Sequence, residues 1–122
     1  MNSIGYFEIQ VNEPEKAIEF YKNVFGWQFT KQNGLPIEYW NIETGGIRGA
    51  ILKRPAKTPP KECGTNAYTC SFEVDDFDTV NDLILANGGQ IAMAKFKIPG
   101  RCWQGYFIDS DHNTFGIFQV QE

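Results

Sequence analysis

The feature that most restricts this chain is that its second half repeats the layout of its first. At one constant offset Val74 falls on Val11, Asp75 on Asn12, Val80 on Ala17, Leu83 on Phe20, Ile84 on Tyr21 and Gly89 on Gly26. Such a repeat is the mark of a supersecondary unit used twice. In the first copy, Ile4 to Val11 alternates as a strand, and Asn12 with Glu15 three residues on and Pro14 in the first turn reads as a helix start. Ala17, Phe20, Tyr21, Val24 and Phe25 then mark one helical face, and Gly26 stands where a left-handed terminating residue belongs. Three strands follow, Trp27 to Lys31, Ile37 to Glu43 and Ile47 to Lys53, parted by the turn pairs Asn33-Gly34 and Gly45-Gly46.

The second copy runs the same way. Ala67 to Val74 is a strand, Asp75 with Asp78 is a cap, Phe77, Val80, Leu83 and Ile84 form the helical stripe, and Gly88-Gly89 closes it. Gln90 to Lys97, Trp103 to Asp109 and Thr114 to Gln121 complete three further strands. The expected fold class is therefore α+β: tandem βαβββ modules in one domain over residues 1–122, with module 1–54, a Pro-rich linker over 55–65 and module 66–122.

Composition narrows the functional classes. With 122 residues, 42% hydrophobic and 15% aromatic, the chain holds apolar material for about one packed domain. It has no apolar run of the ~18 residues that a spanning helix needs, and its N-terminus lacks a basic segment followed by an apolar one. The expectation is a cytoplasmic protein with no membrane partner. A net charge of -4 with scattered basic residues leaves no electrostatic footprint for nucleic acid. Cys63, Cys70 and Cys102 are odd in number and show no C-x-x-C spacing, which favours neither a disulfide framework nor a structural zinc. Cys70 reads as a small core residue.

The strings Phe7-Glu8-Ile9-Gln10-Val11, Ala17-Ile18-Glu19-Phe20-Tyr21 running to Phe25-Gly26-Trp27, Ala86-Asn87-Gly88-Gly89, and Asp109-Ser110-Asp111-His112 ahead of Phe115-Gly116-Ile117 resemble the vicinal oxygen chelate superfamily. That superfamily includes glyoxalases, bleomycin resistance proteins and extradiol dioxygenases, and the resemblance covers nearly the whole chain. It implies a curved mixed sheet around a cavity, commonly in a homodimer. In metal-using members one ligand lies on the first strand and another on the last strand of each module. Carried over, these positions are Tyr6 and Thr69 on the first strands, Gly116 on the last strand of the second module, and Gly49 or Ile51 in the first. A divalent metal requires convergent imidazole or carboxylate donors. None of these residues supplies one, so the expectation is no metal and no other cofactor.

Several residues remain as candidates for chemistry. Glu8 shares a strand side with Tyr6 and Gln10; it is either a ligand-contacting, partly buried carboxylate fit for base work or a salt-bridged edge or interface residue. Thr69 and Ser71 occupy the equivalent face of the second module and can offer hydroxyls. Trp40 and Trp103 correspond under the repeat, with Tyr39, Tyr106 and Phe107 nearby, and either pack under the helices or stack a flat ligand. Arg48 and Arg101 are the candidate cations near a cavity mouth. His112, the single histidine, and Asp109 and Asp111 fall in a turn, where carboxylates cap backbone N–H groups. The expected function is binding of a small, partly aromatic molecule with Tyr6, Glu8, Trp40, Thr69, Ser71 and Trp103 as contacts. The alternative is a metal-free lyase or isomerase in which Glu8 removes a proton alpha to a carbonyl.

Overall fold

The computed structural model describes residues 3–57 and 67–121, which fall into two compact units dividing between residues 58 and 59. Most of the linker expected over 55–65, Cys63 included, lies outside the described residues. In the first unit β1 (Phe7–Val11), α1 (Pro14–Phe25), β2 (Gln28–Lys31), β3 (Tyr39–Glu43) and β4 (Gly49–Lys53) form a four-stranded sheet in the order β1-β4-β3-β2. The second unit repeats this with β5 (Ser71–Glu73), α2 (Phe77–Ala86), β6 (Gln90–Ile98), β7 (Cys102–Ile108) and β8 (Thr114–Val120) in the order β5-β8-β7-β6. In both, the first strand pairs parallel with the last and the other pairs are antiparallel. The expected α+β class and the doubled βαβββ unit are what the fold contains.

Strand pleating divides each sheet into two faces. In the first unit Val11, Ile42 and Ile51 are buried and pack with Ala17, Phe20, Tyr21 and Val24 of the helix. Tyr21 stacks on Trp27 with ring centroids 5.2 Å apart, so the aromatics of the helix end and of the residue entering β2 form one cluster. In the second unit Phe77, Ile84, Phe107, Phe115 and Ile117 fill the same role.

Several local features differ from the expectation. Helix α1 begins at Pro14 with Glu13 as its cap residue and no side-chain cap bond; a proline at the first helical position has no N–H to satisfy and is already set to a helical φ. Helix α2 is capped by Asp76, one residue after Asp75, through Oδ1 accepting from the Thr79 amide at 3.3 Å. Its buried line is Phe77 and Ile84, two turns apart, while Leu83 stays exposed on the flank. Gly26, with φ 72°, ends α1 in the left-handed conformation, and Gly88 carries the corresponding positive φ of 91° after α2. The first strand of the second unit is short, because residues 67–70 are exposed and pairing along β8 starts only at Ser71. Cys70 lies in that segment and is exposed, not in the core, whereas Cys102 is buried.

Candidate functional site

Opposite α1, the first sheet presents a polar face. Ladder register places Glu8 beside Ala50 and, through it, Asn41 and Thr30. Tyr6, Gln10, Tyr39, Glu43, Arg48 and Gln28 share this face by alternation. A groove of about 450 Å3 opens here, lined by Tyr6, Gln28, Thr30, Asn41, Glu43 and Arg48 together with Ile42 and Gly49. Arg48 Nε pairs with Glu43 at 3.3 Å, both side chains being largely exposed.

At its edge three side chains form a chain of hydrogen bonds. Tyr39 Oη donates to Glu8 Oε2 at 2.9 Å, and the hydroxyls of Tyr6 and Tyr39 are bonded to each other. A phenol has one proton to give, so with Tyr39 committed to Glu8 the bond between the phenols is donated by Tyr6. Burial, then the hydrogen bonds to Tyr6 and Glu8 and the negative charge of Glu8, hold the Tyr39 phenol well above the ordinary tyrosine value. Tyr39 therefore stays protonated across the physiological range. Because the folded value lies above the unfolded one, the stability this proton confers is complete below pH ~10 and is lost progressively above it. In an alkaline absorbance titration, Tyr39→Phe is expected to remove a late phenolate step and to flatten the loss of stability above pH ~10; an unchanged titration curve would contradict this assignment.

The second unit has a counterpart. Ser71 stands beside Gly116 and, through it, Tyr106, as Glu8 stands beside Ala50 and Asn41. Tyr39 lies opposite Leu52 and Gln104 opposite Phe118, so these two also correspond. Gln104, 6% exposed, donates from Nε2 to Ser71 Oγ at 3.1 Å. The same third-strand to first-strand bridge thus spans the last strand in both units. In the first it is solvent-exposed and ends on a carboxylate; in the second it is sheltered and neutral.

This geometry decides whether the residues suit a divalent metal. In the first unit the last-strand residue beside Glu8 is Ala50, while Gly49 and Ile51, the two sequence candidates, turn to the helix side. A Cβ at Gly49 would meet the Phe7 ring at 2.5 Å, and one at Gly116 would meet Ser71 Oγ at 2.3 Å and Gln104 Nε2 at 2.8 Å. Glycine at 116 leaves the room that the Ser71–Gln104 bond occupies. Among the described residues no three His, Cys, Asp or Glu side chains converge. The residues at these positions do not fit a metal.

The other candidates are dispersed. Thr69 is exposed just ahead of β5, outside the strand pairing. Trp40 lies opposite Ile51, on the helix side of its sheet, with Lys31 Nζ 5.6 Å from its ring centroid. Trp103 lies on the α2 side, beneath Lys95 and Lys97 at 4.8 and 5.6 Å. Neither tryptophan joins the face that carries Glu8 or Ser71. They also differ in register: Trp103 pairs with Gln119, two residues beyond Ile117, and Gly105 is the residue that matches Trp40. Arg101 sits exposed in a turn, and His112 is exposed with a left-handed φ of 66°. Asp109 is buried, its Oδ1 accepting from the amides of Asp111 and Asn113 at 2.7 and 2.9 Å, which is the turn-capping use. Asn41 and Gln104 were not among the sequence candidates, and Tyr39 entered only as an aromatic neighbour of Trp40, with no hydrogen-bonding role. Their signal is pleat parity combined with the register of β3 and β7, which the amino-acid pattern alone does not supply.

Residues 3–117 match the family model for the Glyoxalase/Bleomycin resistance protein/Dioxygenase superfamily. The chain belongs to this superfamily. "Putative glyoxylase CFP32" from Mycobacterium bovis is 25% identical over 118 residues, and so is its Mycobacterium tuberculosis counterpart. The match takes in 95% of this chain and 45% of theirs, so the chain spans about half the length of these curated relatives. A superfamily enzyme from Burkholderia phytofirmans matches with TM-score 0.77 at 20% identity, over 96% of this chain and 98% of that one. A mutant of the fosfomycin resistance protein FosX from Listeria monocytogenes, in complex with Mn(II) and 1S,2S-dihydroxypropylphosphonic acid, matches with TM-score 0.79 at 14% identity, over 99% and 94%. These likenesses establish the glyoxalase fold. No helix among the described residues is long and apolar enough to cross a membrane.

Proposed function

We propose that this glyoxalase-fold chain binds a small molecule in the polar groove of its first unit, without a metal ion. The observation that carries the reading is the hydrogen-bonded set Tyr6–Tyr39–Glu8 beside that groove, Tyr6 being the first-strand position at which the family resemblance implies a ligand. Two phenols and a carboxylate bridged across β4 form a recognition element held by the sheet itself, which lowers the ordering cost of binding. A bound molecule lies across Tyr6, Asn41 and Arg48, and Tyr39 keeps the Glu8 carboxylate in one orientation. The aromatic part of the expectation rests on the Tyr6 and Tyr39 rings, since Trp40 and Trp103 lie elsewhere.

A second reading is favoured by the presence of Glu8 and Arg48 on the same face. A carboxylate that abstracts a proton alpha to a carbonyl, with a cation near the developing oxyanion, makes a metal-free lyase or isomerase. A thermal-shift screen of chelator-treated protein separates the two. A binding protein yields compounds that raise Tm without being consumed, and Glu8→Gln weakens them about tenfold, the scale of one charge-assisted hydrogen bond. Consumption of a carbonyl hit by wild type, with Glu8→Gln still binding but inactive, selects the enzyme. Hits that bind Glu8→Gln and Tyr6→Phe as well as wild type contradict both readings.

A further inference from the structure

The direction of the hydrogen bonds beside the groove restricts what can occupy it. Tyr39 spends its single proton on Glu8, and Tyr6 spends its own on Tyr39. What these three groups retain for an incoming molecule is therefore acceptor capacity: lone pairs on Tyr6 Oη and the second carboxylate oxygen of Glu8. Arg48, the cation among the lining residues, is engaged by Glu43. Glu8 itself is exposed and takes its described hydrogen bond from a neutral phenol, so its charge is uncompensated by that partner.

From this we infer that the groove selects a hydrogen-bond donor, and specifically a small molecule carrying a protonated amine, over one presenting a carboxylate or phosphonate. The inference rests on the binding reading above and names the ligand class for that same site. An ammonium group satisfies the free acceptors of Glu8 and Tyr6 at once and neutralises the carboxylate. An anion placed against Glu8 and Tyr6 meets only acceptors from that set and the like charge of the carboxylate, while Arg48 across the groove is already paired with Glu43.

The test uses two probes of matched shape, 2-phenylethylammonium and 3-phenylpropionate, with neutral 3-phenylpropanol as control, each titrated into 15N-labelled full-length protein at neutral pH with EDTA present. The expected result is that 2-phenylethylammonium shifts the amides around Tyr6–Gln10 and Tyr39–Glu43 and binds at least about tenfold more tightly than 3-phenylpropionate. Glu8→Gln, which replaces the charge with an amide that can also donate, is expected to abolish or reverse that preference while keeping the wild-type spectrum elsewhere. If 3-phenylpropanol or 3-phenylpropionate shifts these amides as strongly as the amine, the groove reading stands and the preference for a protonated amine is overturned. If none of the three shifts them, or the amine shifts only amides elsewhere, the groove reading fails with it.

Discussion

Phe107→Ala is expected to destabilise the second unit by about 3–5 kcal/mol, the usual cost of emptying a buried aromatic site. Phe107 is fully buried, between Phe77 at 6.1 Å and Phe115 at 5.9 Å, and it is the ring through which α2 is held to the middle of the sheet. Phe77 in turn packs over Gly105, where a Cβ would come within 2.6 Å of its ring, so the pair cannot settle into the space left behind without moving backbone. Against a total of about 5–15 kcal/mol for a domain, the loss is a large fraction. Hydrogen exchange of β7 and β8 amides reads it unit by unit; a loss below about 1 kcal/mol would show that the site collapses freely, contrary to this packing.

Gly116→Glu is the second large effect, and it is expected to fail as a restoration. The substitution returns a carboxylate to the position where the family resemblance places a metal ligand, yet its Cβ would lie 2.3 Å from Ser71 Oγ and 3.1 Å from Tyr106 Cδ1. Overpacking of this kind costs about 1–3 kcal/mol, and the added charge beside buried Gln104 increases it. The variant is expected to melt earlier than wild type and to take up no stoichiometric Mn(II), Ni(II) or Zn(II) in elemental analysis after dialysis. Adding Ser71→Ala, which removes the nearest clashing oxygen, is expected to recover part of the stability. One tightly held metal per chain in Gly116→Glu would contradict the view that this corner is built around the Ser71–Gln104 bond.

Much of the fold was legible because helices and turns are written locally. The spacing of Ala17, Phe20, Tyr21 and Val24 and the glycine after Phe25 fix α1 whatever surrounds it. The repeat at one offset then fixes the order of strands. What could not be read was the stagger between strands, since pairing is a long-range property. That offset holds for the first strands and helices but not for β3 against β7, so Trp40 and Trp103 look equivalent in sequence and are two residues apart in register. Parity placed Tyr6, Glu8 and Gln10 together on one side of their strand, and this alternation holds in β1. It did not reveal that Tyr39 reaches Glu8 across β4, because that contact depends on the register of β3 against β4. Glu8 itself is exposed, a consequence of its lying on the sheet face away from α1.

On the proposed reading, the groove beside Tyr6, Tyr39 and Glu8 recognises its small molecule directly, with no metal between. A crystal structure of chelator-treated protein soaked with the strongest thermal-shift hit tests it most directly. The predicted result is ligand density in the first unit, with a polar atom at hydrogen-bond distance from the Tyr6 hydroxyl or the Glu8 carboxylate and no metal peak between them. Density for the ligand on an ion held by the chain's own residues, or ligand bound only away from this face, would contradict it.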